Sequence, residues 1–283
     1  MDQREELSCG LRRMMLALGC VLLAFLLSMG ALTVLLGAQT PLMVVESRSM
    51  QHDDNSSAIG IIDTGDVVVV SEPREDSDLM TYLGSLNDGY RSFGEYGDVV
   101  ICQTPGEEVP IVHRALCELV YNSSAGGFDI PELAGVPASM WTTPGDGGWQ
   151  GLSDWVDLLN VGHASVTVHI DLDEILGSMN DPHGGLITMG DNNWNEIDGA
   201  RYGVIDQGTL VDEPIKWEWI IGRVVGEVPW IGTVRLWLTG TAPSYLPENT
   251  VVLLMASVIS IAVLPVVLWA SARAVEGRDR KRG

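Results

Sequence analysis

The residues best suited to chemistry are a serine, a histidine and two aspartates in three short, widely separated runs. Ser49 lies in Val-Val-Glu-Ser-Arg-Ser-Met (44–50), and His113 lies in Pro-Ile-Val-His-Arg (110–114). Asp191 belongs to Gly-Asp-Asn-Asn (190–193), and Asp198 follows shortly after it. A serine hydroxyl becomes a strong nucleophile when a base removes its proton, and imidazole titrates near neutral pH. A carboxylate behind the imidazole completes a hydrolytic triad, so the three runs supply its parts.

Each member taken alone has an ordinary structural explanation. A single histidine on a strand is usually a hydrogen-bonded structural residue, and an aspartate in Gly-Asp-Asn-Asn is typical of a turn. A lysine base is excluded for the same region, because residues 1–215 contain no lysine.

The segments that must position these residues are predicted to be mostly strands. Short runs rich in Val and Ile indicate strands buried on both faces, and Gly-Asp turns at 65–66 and 97–98 precede two of them. The predicted strands cover 66–70, 98–102, 110–116, 165–170, 185–189 and 219–228. A polar segment at 72–95 and a segment rich in Gly, Pro, Ser and Trp at 121–162 are interpreted as surface insertions.

Two uncharged stretches flank this region and predict membrane anchors. Residues 14–37 form a run of 24 residues, and residues 250–272 form a second run of 23. At 1.5 Å per residue either run is long enough to cross the hydrocarbon core as a helix. The first is longer than the apolar part of a cleavable signal peptide, which favours a retained anchor. The prediction is a tail at 1–13, a spanning helix at 14–37, a domain at 38–249, a spanning helix at 250–272 and a tail at 273–283.

The charge distribution predicts the orientation of the domain. Eight of the 16 basic residues lie in the two tails, against five of the 38 acidic residues. Basic residues beside membrane spans favour the cytoplasm, so residues 38–249 are expected on the outer side of the membrane. The net charge of −22 argues against nucleic acid as a partner.

The cysteines and the polar residues predict neither a metal site nor a cofactor. No metal-ligand spacing occurs in the sequence. Cys102 and Cys117 flank a predicted hairpin, and they could form a disulfide or remain two buried thiols.

Taken together, the three runs resemble those of type I signal peptidases, in the archaeal and endoplasmic-reticulum branch of that serine-protease family. The pattern Ser-x-Ser-Met is matched at 47–50, Gly-Asp-x-Val at 97–100, Pro-Ile-Val-His-Arg at 110–114 and Gly-Asp-Asn-Asn at 190–193. Residues 222–232 resemble the closing strand of the family. The resemblance implies a mainly β fold, a compact barrel-like catalytic domain tethered by the two terminal helices.

The same resemblance implies a role for each site residue. Ser49 would attack the scissile carbonyl and His113 would act as general base. Asp198 is favoured as the carboxylate that orients the ring, with Asp191 as the alternative or as a support for the loop. The Ser49 N–H and the Ser47 hydroxyl would bind the oxyanion.

The partners implied are secretory preproteins with signal peptides and the lipid bilayer, with the protein translocation machinery as a further candidate. Cleavage would release signal peptides at the outer membrane surface. Two alternatives remain open at this point. One is a maturation protease dedicated to a single exported protein, and the other is a non-catalytic, membrane-tethered binding module.

Overall fold

The structure is a computed structural model that describes residues 3–73, 79–107, 109–145 and 147–279, with side-chain detail between residues 14 and 264. Residues 74–78 of the predicted insertion, and residues 1–2 and 280–283 of the predicted tails, lie outside this part. The described chain is mainly antiparallel sheet with an apolar helix at its N-terminal end.

The first sheet carries His113 on one of its strands, and Ser49 and Asp191 lie in loops that follow two other strands of it. Its strand order is β1-β2-β14-β5-β6-β11, with β7 added to the far end of β6, and every pairing in it is antiparallel. The central strand β5 is buried at all four positions, as its continuous Val-Val-Ile-Cys run predicts. The strands are β1 (Leu42–Val44), β2 (Val67–Ser71), β5 (Val99–Cys102), β6 (Ile111–Asn122), β7 (Gly127–Asp129), β11 (Gly185–Met189) and β14 (Ile220–Val228).

A second sheet packs over the far half of β6 and β11. Its order is β12-β13-β10-β9-β8, in which β10 and β13 run parallel and the other pairs run antiparallel. The strands are β8 (Trp141–Thr142), β9 (Trp155–Val161), β10 (Val166–Asp171), β12 (Trp194–Ile197) and β13 (Ala200–Gly203). The largest apolar core lies between the two sheets and includes Leu116, Phe128, Leu158 and Ile170, each fully buried. Burying a side chain of this size contributes roughly 1.5–3 kcal/mol.

Short elements complete the domain. A two-stranded ribbon is formed by β3 (Arg91–Ser92) and β4 (Glu95–Tyr96). The helices are α1 (Gln3–Leu36), α2 (Tyr82–Ser85), α3 (Leu172–Ser178), α4 (Gly232–Thr239) and α5 (Thr250–Asp279).

The structure confirms the six predicted strands and corrects two other expectations. The first sheet does not close: within the described residues β1 and β11 end it and do not pair with each other, so the predicted barrel is wrong. The segment 121–162 is not a surface insertion, because it contributes β7, β8, β9 and the buried side chains of Phe128, Ile130 and Leu133. The segment 72–95 likewise buries Tyr82 and Leu83.

Within the described residues, α1 contains the one helix segment long and apolar enough to cross a membrane. Met14–Leu36 has 23 residues and a mean hydropathy of 2.4, and none of its most apolar part is buried in the protein. The apolar segment Thr250–Leu264 of α5 is shorter. The second predicted span is therefore not shown at the predicted length.

The cysteine alternatives are resolved in favour of thiols. Cys102 and Cys117 are both free and buried, on neighbouring strands β5 and β6. Burial raises the pKa of both thiols, which keeps them protonated and unreactive.

Candidate active site

Ser49 lies in the loop that follows β1 at one end of the first sheet. The Thr64 hydroxyl donates a hydrogen bond to the Ser47 carbonyl at 2.8 Å, and the Asn192 N–H donates one to the Ser49 carbonyl at 2.7 Å. The next side chain, Met50, is buried in the core beneath the loop. The backbone around Ser49 is therefore fixed by two hydrogen bonds to other segments and by the burial of Met50.

The Gly-Asp-Asn-Asn run approaches this loop closely at Gly190. A Cβ atom at that position would lie 2.6 Å from the Ser49 carbonyl oxygen, so a side chain there would push the two segments apart. The glycine therefore allows the Asn192 N–H to reach the Ser49 carbonyl and keeps the two runs in contact.

His113 lies on β6, where it pairs with Val100 of β5 one residue before the pairing of β6 with the end of β11 begins, and it is 4% exposed. Its Nδ1 atom is 2.8 Å from both carboxylate oxygens of Asp206. The Thr188 hydroxyl donates a further hydrogen bond of 2.6 Å to Asp206, and the Asp206 N–H donates to the Thr188 carbonyl. Because the Asp206 carboxylate can only accept a hydrogen bond, the neutral His113 ring must carry its proton on Nδ1. The Nε2 lone pair is then free to take a proton.

The carboxylate beside His113 is thus Asp206, and the expectation of Asp198 in that place is corrected. Asp198 is exposed in the turn of the β12–β13 hairpin, where its φ is +52°. The hairpin closes on itself, because the Val204 N–H donates to the Asn193 carbonyl at 2.8 Å. The hairpin at 194–203 therefore leaves the site and returns to it, so that Val204 lies next to Asn193. Asp206, whose carboxylate contacts His113, follows two residues later.

Asp191 supports the loop of residues 45–50, which carries Ser49 and is called the nucleophile loop after the expected role of that serine; within the described residues Asp191 makes no hydrogen bond to His113. Arg114 donates two parallel hydrogen bonds of 2.7 Å to it, from Nε to Oδ1 and from Nη2 to Oδ2. His52 Nε2 lies 3.1 Å from the same carboxylate, and its ring stacks on His163 at 4.1 Å. Burial alone would raise the pKa of Asp191, but the charge and hydrogen bonds of Arg114 outweigh it and hold this pKa well below its usual range.

Ser49 and His113 open onto the same cleft, which has a volume of about 550 Å³. One wall is the nucleophile loop and the other is the start of β6. The lining is mostly apolar, from Val45, Met50, Val109, Pro110, Ile111, Val112 and Leu210, with Ser47, Asn193 and Thr209 among its polar residues and Glu46 and Glu107 as its carboxylates.

No protein-family model and no curated protein matches the chain.

The cleft offers unpaired backbone on the β6 side. Strand β11 pairs with β6 only from Arg114 onward, so within the described residues Ile111 and Val112 have a strand partner on the β5 side alone. An extended peptide lying in the cleft can pair with this edge, and its side chains would then alternate between the cleft floor and solvent.

The Ser49 hydroxyl is bonded to Ser47 at 3.0 Å, and within the described residues it makes no hydrogen bond to His113. Attack on a carbonyl requires this hydroxyl to turn from Ser47 to His113 Nε2. Such side-chain rotations are fast, and catalytic hydrogen bonds are often incomplete before substrate binds. The Ser49 N–H donates no hydrogen bond within the described residues, so it remains available for an oxyanion.

Asp191→Asn should destabilise the domain by roughly 3–5 kcal/mol, because Arg114 would stay buried without a counter-charge. We expect a fall in Tm of roughly 10 °C for the full chain in detergent. The matched control is Glu196→Gln, which removes an exposed ion pair with Arg201 (3.8 Å) and should change stability by less than about 1 kcal/mol. Equal Tm values for the two variants would contradict the structural role of Asp191.

The Asp191 carboxylate also makes the stability of the fold depend on pH. Its folded-state pKa is lowered, so its stabilising contribution is present above the unfolded value near 4 and is lost as pH falls through the folded value. Thermal unfolding followed from pH 7 to pH 3 should therefore show a smaller loss of stability for Asp191→Asn than for the wild type below about pH 4.

Proposed function

We propose that the chain is a membrane-anchored serine endopeptidase that removes signal peptides from secretory preproteins at the outer membrane surface. The observation that carries the proposal is the buried His113–Asp206 pair opening onto the cleft that also contains Ser49. The pair provides a base with a defined tautomer beside a serine on a fixed loop.

In this proposal His113 Nε2 takes the proton of the Ser49 hydroxyl as the serine oxygen attacks the scissile carbonyl. Asp206 holds the ring and stabilises the imidazolium that forms. The Ser49 N–H and the Ser47 hydroxyl bind the oxyanion of the tetrahedral intermediate. The imidazolium then gives its proton to the leaving amine, and water hydrolyses the acyl-enzyme by the same steps.

The size and lining of the cleft support a substrate with small apolar residues before the cleavage site. An extended segment paired with Ile111 and Val112 would place its side chains against Val45, Met50 and Leu210. Small residues at alternate positions before the cut are characteristic of signal peptides, and an extended strand can bind by addition to a sheet edge.

Membrane anchoring supports the same class of substrate. α1 is exposed and apolar over Met14–Leu36, and Ser49 follows only 13 residues after the end of that segment. With both tails in the cytoplasm, as the basic residues favour, the catalytic domain lies outside, where signal peptides emerge from the bilayer. α5 provides the second anchor in this arrangement.

The proposal is tested by reconstituting the full chain in lipid vesicles with several unrelated preproteins and sequencing the N-termini of the products. We expect a cut after a small-x-small sequence in most of them. Cleavage of only one preprotein would indicate a dedicated maturation protease. Absence of cleavage of every preprotein would refute the proposal and favour a binding module. The observation that supports a binding module is that, among the described residues, the Ser49 hydroxyl is hydrogen bonded to Ser47 and not to His113.

A further inference from the structure

The short helix α4 (Gly232–Thr239) has one face packed on the domain and a second apolar face open to solvent. Gly232, Thr233 and Leu236 are buried, and Gly232 lies against the backbone of Gly65 and Asp66. The opposite face presents Ile231, Val234, Trp237 and Leu238, of which Leu238 is 84% exposed and Trp237 is 45% exposed.

This exposed face forms a continuous apolar arc. At 100° per residue, positions 231, 234, 237 and 238 fall within about a third of a turn of the helix, and the buried positions fall on the other side. The charged residue of α4, Arg235, is held at the edge of the arc by an ion pair with Glu46 at 2.8 Å. An uncharged face of this kind with a tryptophan is typical of helices that lie in a membrane interface.

Ser57 links the residues that precede α4 and α5 through hydrogen bonds. The Trp230 indole N–H donates to the Ser57 hydroxyl at 2.8 Å, and the Ser57 N–H donates to the Asn249 side chain at 2.8 Å. Trp230 comes just before α4 and Asn249 just before α5. The helix therefore begins where an apolar terminal helix leaves the domain.

Ile59 is a further exposed apolar residue near the start of α4, and it is 74% exposed. The N–H of its neighbour Gly60 donates a hydrogen bond to the Glu227 side chain. Glu227 is followed by Val228, which is also exposed and precedes α4 in the chain. The apolar surface therefore extends from α4 toward the loop that carries Ser57.

We propose that the face of α4 formed by Ile231, Val234, Trp237 and Leu238 lies in the headgroup region of the bilayer and binds lipid. This inference rests on the membrane placement in the proposed function. The continuity with α5 favours lipid over a protein partner, because a helix that enters the bilayer at Thr250 brings the beginning of α4 to the membrane surface. The Arg235–Glu46 pair also links α4 to the segment that leads to Ser49.

The test uses a full-length chain with Cys9→Ser and Cys20→Ala, since Cys102 and Cys117 are buried. A fluorescent label is attached at Leu238→Cys, or at Ile197→Cys as the matched control. Ile197 is also an exposed aliphatic residue, at 58%, but it lies on the β12–β13 hairpin. In vesicles we expect quenching of the 238 label by nitroxide lipids and at least threefold protection from aqueous iodide, whereas the 197 label should show neither.

Equal iodide quenching at the two positions would overturn the inference. Protection at 238 without quenching by nitroxide lipid would also overturn it, because a protein or a second copy would then cover the face. Neither reading depends on proteolysis, so a chain that cleaves no preprotein can still confirm or refute the lipid contact.

Discussion

Ser49→Ala should lower kcat/KM for preprotein cleavage by roughly 10⁴–10⁶-fold, and His113→Ala should lower it to a similar extent. In the proposed mechanism the two side chains act as one unit, since the only step assigned to the imidazole as base is to remove the proton of the Ser49 hydroxyl. The double variant should therefore be no slower than either single variant, within about threefold. The measurement is cleavage by the full chain in vesicles under single-turnover conditions.

The matched control for the histidine is His169→Ala. His169 also contacts an aspartate, Asp157, at 2.6 Å, but it is exposed on β10 in the second sheet. It should retain near-normal activity. Additive losses in the double variant, or equal losses for His169→Ala and His113→Ala, would contradict a Ser49–His113 mechanism.

Asp206→Asn should reduce kcat by roughly 10⁴-fold, whereas Asp198→Asn should remain within about twofold of the wild type. An amide at 206 can donate a hydrogen bond to Nδ1, which would move the ring proton to Nε2 and block proton transfer from Ser49. Asp198 lies in an exposed turn, so its amide variant changes no contact of the ring.

A positioning role for Asp206 can be distinguished from a purely structural role by a measurement other than the loss of rate. Without the carboxylate the imidazolium formed during the reaction is less stabilised, so kcat of Asp206→Asn should fall while KM for the preprotein stays within about twofold of the wild-type value. A purely structural role would lower activity and Tm together. The assignment fails if Asp198→Asn is the slow variant.

The strands could be predicted because they depend on local pattern, whereas Ser49 and His113 were singled out through the resemblance. Continuous Val and Ile runs identify β5 and β6, and the position of His113 on β6 follows from the run that contains it. The proximity of residues 47–50 to 190–193 was implied by resemblance, and the structure explains it through Gly190 and the Asn192–Ser49 hydrogen bond.

Asp206 was not predicted, because the resemblance implied the aspartate that follows Gly-Asp-Asn-Asn most closely, which is Asp198. The β12–β13 hairpin carries Asp198 away from the site and returns the chain at Val204, next to Asn193. A signal was present in residues 204–207, Val-Ile-Asp-Gln, where an aspartate follows an apolar pair outside the Gly-Asp-Asn-Asn run. The open first sheet and the buried part of 121–162 depend on which strands pair, which local pattern does not specify.

The end of α1 is hydrogen bonded to the sheet whose first strand leads to Ser49. The Leu36 carbonyl accepts hydrogen bonds from the Glu72 N–H at 3.0 Å and from the Ser71 hydroxyl at 3.2 Å, and β2 then pairs with β1, which leads to Ser49. In the proposed function this linkage sets the distance of the Ser49 hydroxyl from the lipid surface, because hydrogen-bonded structure and not a flexible linker joins α1 to the sheet. Precursors would then be selected by how far their cut site stands from the bilayer as well as by the residues around it.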